Sequence, residues 1–445
     1  MTELVLVGIS HRVAPVALRE RVALTERQAE ALASGLCGER LISEAVAIST
    51  CNRTELYVVG DPALAEQAAL ERLAEHAGIE AGELWSAVYA PRNCDAARHL
   101  FRVTSGLESM VIGEHEIHGQ VRRAYEAART TGTSGPLTNR LFAAALQTGK
   151  RVRAETKIAR SHVSLSSVAV DLAEQLLGDL GGRPVVIIGA GETSELTAQA
   201  LAARGVSTIF VANRHADRAR SVAQRFGGQV VGLERLPETL EAADIVLAST
   251  SSPHAIVGHE ELELVMEARE RRPLLLIDIA VPRDIDPRCG ALDGVTLRDI
   301  DDLESAVAEN LSSRAADLPA AEAIVEQEIV RFARWLGQLD VRPTIAALRR
   351  RGDEIVERVL EENGGRWETA SKRDLARIEA LARAIMSRLL HEPTIRLQSL
   401  DAERSHGSIE LLRDLFALRG DDGAGDGEAA PVPPGAVREL RRQQP

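Results

Sequence analysis

The sequence predicts a multidomain α/β and α protein: an α+β amino-terminal domain, a doubly wound parallel α/β domain, a long connecting helix and a helical carboxy-terminal module. Three observations predict it. Four short apolar runs, Val185–Ile188, Thr208–Ala212, Ile245–Ala248 and Leu274–Ile277, alternate with helical stretches, as strands do in a parallel sheet. Aromatic content is only 3% while Ala, Leu, Glu and Arg dominate, so helices supply most of the buried area. Beyond residue 300 apolar residues recur at helical spacing. The 445 residues, 45% of them hydrophobic, allow several cores. The expected divisions are 1–160, 161–300, 301–339, 340–420 and a disordered tail, 421–445, rich in Gly, Pro, Asp and Ala.

In the first domain, Leu4–Ile9 reads as a strand, and Thr25 with Gln28 as the cap of a helix. Ala45–Ile48 and Leu56–Val59 read as strands flanking the polar segment Ser49–Thr54, which becomes a turn. Helical patterns follow from Asp95 to about Thr130, broken near Gly106 and Gly113, and from Leu137 to Ala159. The connecting helix carries Leu303, Val307, Leu311, Ile324, Ile329, Phe332 and Leu336, and Pro319 is expected to kink or interrupt it. The last module carries stripes such as Ile355, Val359, Leu375, Ile378, Leu381, Ile385 and Leu389, which need partners. A second copy of the chain or packing within one chain would supply them.

No apolar run approaches the roughly 20 residues of a membrane span, and the amino terminus carries no signal-peptide pattern, so a cytoplasmic protein without a membrane partner is expected. Cys37, Cys51, Cys94 and Cys289 show no ligand or disulfide spacing, and no metal site is expected. A formal charge of −13 argues against a surface built for sequence-independent nucleic-acid binding. One local run differs. Between Asn139 and Arg160 stand Arg140, Lys150, Arg151, Arg153, Lys157 and Arg160 against the single acid Glu155, either a stripe for phosphates or an ordinary solvated helix face.

Gly189-Ala190-Gly191-Glu192-Thr193-Ser194, between strand and helix, fits a Rossmann-type dinucleotide turn, with Ser194 in place of the third glycine. The next strand ends in Asn213-Arg214 instead of an acid, and an arginine there suits a 2′-phosphate, which points to NADPH; the alternative is a plain surface arginine. A hydride donor needs an electrophilic carbon, and a carboxyl derivative becomes reducible once a thiolate holds it as a thioester. Cys51 is the candidate thiol, in a polar turn with Arg53 two residues away to favour the thiolate and grip a substrate carboxylate. Local sequence alone does not separate it from an inert buried cysteine. Cys37 and Cys289 read as structural, and Cys94 is a rival five residues from His99.

Gly8-Ile9-Ser10-His11-Arg12-Val13-Ala14-Pro15, Ser49-Thr50-Cys51-Asn52-Arg53-Thr54-Glu55 and the stretch His99 to Met110 together resemble the glutamyl-tRNA reductase family. The likeness continues through Gly113-Glu114, Gly119-Gln120-Val121, Gly189 to Glu192, Asn213-Arg214, Asp278 to Asp284 and Asp301-Asp302-Leu303, covering about 1–415. It implies that Cys51 attacks the ester of glutamyl-tRNA, that NADPH reduces the thioester, and that glutamate-1-semialdehyde leaves, the first step of tetrapyrrole synthesis from five-carbon precursors. It further implies a homodimer and a transient complex with glutamate-1-semialdehyde aminomutase. Carried over by motif, Thr50, Asn52, Arg53, Ser109, Glu114 and Gln120 line the glutamate pocket, and His99 is a catalytic acid, base or orienting group. The alternative for His99 is a hydrogen-bonded histidine on a buried helix face. Where the family usually shows Pro-Gln, this chain has His115-Glu116; both are expected at the pocket, with their side-chain roles open. The rival readings are a dehydrogenase of a free small molecule with a structural Cys51, and an inactive scaffold.

Overall fold

The computed structural model describes residues 3–38, 42–158, 165–206, 209–213, 216–250, 252–303, 317–364 and 371–398, with 412, 415, 416 and 418. Arg160, Arg214 and the tail 421–445 lie outside the described residues, as do Thr208 and 304–316. The chain divides into two compact units between Phe332 and Ala333.

The first unit opens with β1 (Glu3–Ser10), α1 (Val16–Val22), α2 (Glu26–Cys37), β2 (Ile42–Ser49) and β3 (Arg53–Gly60), followed by α3 (Pro62–Ala77), α4 (Ala81–Trp85), α5 (Asn93–Thr104), α6 (Glu116–Thr131) and α7 (Pro136–Glu155). The three strands form an antiparallel sheet in the order β1-β3-β2. Period-two alternation sorts the central strand: Leu56 and Val58 join Val5, Val7, Ala45 and Ala47 in an apolar core with residues of α2 and α3, such as Leu36, Ala69 and Leu73. Arg53, Glu55 and Tyr57 take the other face, where Tyr57 meets Phe142 of α7 edge-on at 5.5 Å. Two caps fix the helices against the sheet. Thr25 and Gln28 form the expected capping box on α2. Glu44 of β2, buried, accepts from the amides of Gly135, Leu137 and Thr138 at the start of α7, where a negative charge meets unpaired N–H groups.

Then follow α8 (Leu165–Leu177), β4 (Val185–Ile188), α9 (Glu192–Ala203), β5 (Ile209–Ala212), α10 (Ala216–Phe226), β6 (Gln229–Val231), α11 (Leu236–Ala242), β7 (Ile245–Ala248), α12 (His259–Ala268), β8 (Leu274–Asp278) and β9 (Val295–Asp299). All six strands pair in parallel, in the order β6-β5-β4-β7-β8-β9. The chain moves outward from β4 in both directions, so β4 and β7 flank the switch point where such sheets bind ligands. Two edge strands, β6 and β9, join the four read from apolar runs.

A helix runs from Leu318 to Glu362. The expected helix over 301–339 is not continuous: Asp317 is a turn and Pro319 occupies the first turn of the helix that begins at Leu318, where a missing N–H costs nothing and the fixed φ suits helix entry, in line with the expected interruption; 304–316 lie outside the described residues. Within the first unit, Arg98 and Arg102 of α5 and Arg151 of α7 pair with Glu326, Glu322 and Glu328 on the start of this helix, and Phe101 meets Phe332 edge-on at 6.0 Å. In the second unit the helix packs against Lys372–Gln398, burying Leu348, Val356 and Leu390 where Gly352 leaves room for Met386. The stripe is covered only in part: Val359, Leu381, Ile385 and Leu389 stay exposed by half or more.

Candidate active site

Cys51 sits in the bend between β2 and β3. Thr50 shapes that bend: its Oγ1 accepts from the amides of Asn52 and Arg53, both at 3.2 Å, and its own amide donates to Arg53 O at 2.8 Å. The thiol is partly buried against the apolar cluster that contains Met110, Val111 and Leu165. Burial pushes it up to about 12, and the carboxylates Glu114 and Glu116 add to the rise while Arg19 opposes it.

The Arg53 side chain does not serve the thiol in the way its sequence position suggests. It is 2% exposed, its Nη1 donates to Glu55 Oε1 at 2.9 Å and its Nη2 to Glu108 O at 2.5 Å. Residues i and i+2 of a strand share a face, which puts the buried cation and the buried acid side by side. Glu55 is fully buried and also accepts from His99 Nε2 at 2.8 Å, Tyr89 OH at 2.7 Å and Tyr57 OH at 2.8 Å. Burial opposes its charge, yet His99, Arg53 and Tyr89 together hold its carboxyl far below the usual range. Gly8 on the neighbouring strand permits this hub, because a Cβ there would stand 2.6 Å from the Tyr89 ring.

A cavity of about 1240 Å³ joins the bend to the parallel sheet, exceeding the roughly 300–1,000 Å³ of a single-ligand site. Thr50, Cys51, Asn52, Arg53, Ser109, Glu114, Glu116 and Gln120 line it on one side, and Gly189, Ala190, Gly191, Thr193, Asn213, Ser249 and Thr250 on the other. Gly189 has φ +127°, and a Cβ there would stand 2.8 Å from Ser249 O, so only glycine allows the turn to pass this close to β7. No side chain caps α9, and nothing stands within 4 Å of a Cβ built on Gly191, leaving the amide end of the helix accessible to an anion. These residues fit a dinucleotide pyrophosphate. Glu116 lines the opposite wall; burial, with Glu114 and Glu192, pushes its carboxyl up to about 7, against the opposing effects of Thr193 and Arg123. Burial likewise raises Glu114, against a hydrogen bond from Ser109 and the charge of Arg53.

Among the described residues, four expected site residues do not line the cavity. His99 turns to Glu55, where it supports Arg53 from behind. His115 is exposed at the N-cap position of α6. Ser194 is fully buried with its hydroxyl 2.9 Å from Ser249 Oγ, spacing α9 against β7, and Glu192 is exposed on the first turn of the helix. Glu55, Tyr89 and Arg19 were not singled out from sequence. The signal for Glu55 was available, since two opposite charges at i and i+2 in an otherwise apolar strand require burial as a pair. Among the described residues no cluster of three or more His, Cys, Asp or Glu is placed to hold a metal, and no helix is long and apolar enough to cross a membrane.

Comparison with known proteins agrees with this arrangement. Residues 7–156 match the glutamyl-tRNA(Glu) reductase N-terminal domain family, 171–306 the shikimate/quinate 5-dehydrogenase family and 320–418 the glutamyl-tRNA(Glu) reductase dimerisation domain family. A glutamyl-tRNA reductase of Geotalea uraniireducens is 42% identical over 417 residues, 93% of this chain and 96% of the relative. The chain belongs to the glutamyl-tRNA reductase family. A glutamyl-tRNA reductase of Desulforudis audaxviator is 42% identical over 440 residues, covering 96% of this chain and 97% of the relative. The solved glutamyl-tRNA reductase of Methanopyrus kandleri is 33% identical, with a TM-score of 0.52 over 94% of this chain and all of that one. For this family member, the dehydrogenase-type sheet points to a nicotinamide cofactor, and the dimerisation domain supports a homodimer.

Proposed function

We propose that this chain reduces glutamyl-tRNA with NADPH to glutamate-1-semialdehyde, through a thioester on Cys51. The observation that carries the reading is that Cys51 and the Gly189–Gly191 turn line one cavity. The Cys51 sulfur attacks the ester carbonyl, the carbon–sulfur bond forms, and the bond to the tRNA ribose oxygen breaks. Gly189 and Gly191 would hold a nicotinamide dinucleotide whose hydride would replace sulfur at the acyl carbon, the carbon–sulfur bond breaking to release the aldehyde and return the Cys51 thiolate. Asn52 Oδ1 and Arg53 Nε are buried with no partner among the described residues. Buried polar atoms seek partners, so an acceptor and a charged donor remain for the ammonium and carboxylate of a glutamyl group. Ser109, Glu114, Glu116 and Gln120 complete the wall. His99 acts from a distance, by fixing Glu55 and through it Arg53. Arg214 selects the 2′-phosphate of NADPH.

The second copy of the homodimer covers Leu381, Ile385 and Leu389. Because the product is a reactive aldehyde, transfer to glutamate-1-semialdehyde aminomutase in a transient complex follows. The reading is tested by mixing the protein with glutamyl-tRNA and NADPH, and measuring cofactor oxidation against trapped aldehyde. Equal amounts support it; oxidation with a free small molecule alone, and none with glutamyl-tRNA, favours an ordinary dehydrogenase.

A further inference from the structure

Helix α1 grips the parallel-sheet domain. Glu20 accepts from the Arg283 amide at 2.7 Å and from its Nε and Nη2, each at 2.8 Å, just beyond β8. The Val16 amide donates to Asp301 Oδ2 at 2.9 Å, just beyond β9. Between these contacts lies Arg19, 3% exposed. Its Nε donates to Ala14 O at 3.2 Å, its Nη1 to the backbone carbonyl of Cys51 at 2.7 Å, and its Nη2 to Asp301 Oδ1. One guanidinium thus holds the start of its own helix, the thiol-bearing bend and the end of the parallel sheet. The planar fork of a guanidinium presents its donors in fixed directions, which suits three acceptors spread over three segments.

We infer that Arg19 is a positioning residue for Cys51, fastening the thiol-bearing bend by its carbonyl and tying it through Asp301 to the domain that holds the hydride donor. The inference rests on Cys51 being the nucleophile. Among the described residues the charged groups that act most on the thiol are Glu114 and Glu116, which raise it, and Arg19 on α1, which favours the thiolate. The same side chain therefore sets where the sulfur stands and how readily it ionises. Asp301 determines where that side chain stands relative to the sheet.

The test uses the full-length homodimer. Iodoacetamide alkylation of Cys51, followed by peptide mapping across pH, reads the thiol without any substrate, and steady-state kinetics with glutamyl-tRNA reads the geometry. Arg19→Met is expected to slow Cys51 alkylation at fixed pH about tenfold, moving its profile upward by about one pH unit, and to lower kcat. Arg19→Lys keeps the charge and loses the fork, so the alkylation profile stays near wild type while kcat falls about tenfold or more. Asp301→Asn leaves the Arg19 charge in place and unfastens it from the sheet: kcat falls about tenfold, with KM for glutamyl-tRNA and Kd for NADPH within about twofold. A wild-type alkylation profile in Arg19→Met, or a wild-type kcat in Asp301→Asn, overturns the inference. If Arg19→Met does not fold, Asp301→Asn decides alone. Retained reduction by Cys51→Ser would instead refute the nucleophile reading and leave the alkylation result to stand by itself.

Discussion

Replacing Glu55 by glutamine isolates one term of the buried hub, its charge. Glu55 Oε1 takes Arg53, His99 and Tyr89, and Oε2 takes Tyr57. A glutamine carbonyl placed at the Oε1 position keeps the first three partners, and the Tyr57 hydroxyl can turn to accept from the amide. Hydrogen bonds worth about 1 kcal/mol each are therefore largely spared. What is lost is the counter-charge of Arg53, a guanidinium 2% exposed to solvent. Removing one partner of a buried pair costs about 3–5 kcal/mol, and with the hydrogen bonds retained the lower end, about 3 kcal/mol, is expected. Urea unfolding of wild type, Glu55→Gln, Arg53→Met and the double variant at pH 7 measures it. The double variant should be less destabilised than the sum of the single ones. A loss under about 1 kcal/mol in Glu55→Gln, or simple additivity, would refute the reasoning. The pH dependence has a definite sign. The folded carboxyl lies below its ordinary value of 4.5, so its stabilisation is present above that value and is lost as pH falls toward the folded one. Glu55→Gln should lack that acid limb.

Other residues give further outcomes. The folded Glu116 carboxyl is raised from 4.5 to about 7, so wild type loses stability as pH rises through that window, and Glu116→Gln should gain melting temperature relative to it between pH 4.5 and 8. The same variant removes a carboxylate that holds the Cys51 thiol protonated, so iodoacetamide should alkylate Cys51 faster at pH 8. Arg151 is already paired with Glu155 and Glu328, whereas burial and the charge of Arg122 both disfavour the charged Arg153. Arg153→Glu is therefore expected to weaken glutamyl-tRNA binding and lower its salt slope by about 1, and Arg151→Glu to do so less, as read by binding titrations at several salt concentrations. Arg214→Ser should raise the KM for NADPH and leave that for NADH nearly unchanged, narrowing the cofactor preference.

Local chemistry made several features legible. The Thr25–Gln28 cap, the Gly189–Gly191 turn and the apolar strands β4, β5, β7 and β8 each follow from a few adjacent residues, and the structure contains them all. The edge strands β6 and β9 lack that signature because their residues are half-exposed and partly polar. Pro319 marked a break in the stretch after residue 300, because a proline fits a helix without loss only in the first turn, and the helix begins at Leu318. The cavity residues Thr50 to Arg53 came from a contiguous motif, but direction within the motif did not. Arg53 turns to Glu55 and Glu108, and His99 to Glu55, because a buried charge binds the partner the tertiary fold supplies, which no spacing rule names. Arg19 was invisible for the same reason: two of its three acceptors lie 32 and 282 residues away in sequence.

The central claim is that glutamate leaves tRNA by becoming a thioester on Cys51. Labelled glutamyl-tRNA incubated without NADPH, then acid-quenched and peptide-mapped, tests it most directly. The account predicts one label per active site on the Cys51 peptide, released by hydroxylamine, reduced to aldehyde when NADPH is added, and absent in Cys51→Ser. Label on another residue, or aldehyde formed at the wild-type rate by Cys51→Ser, would contradict it.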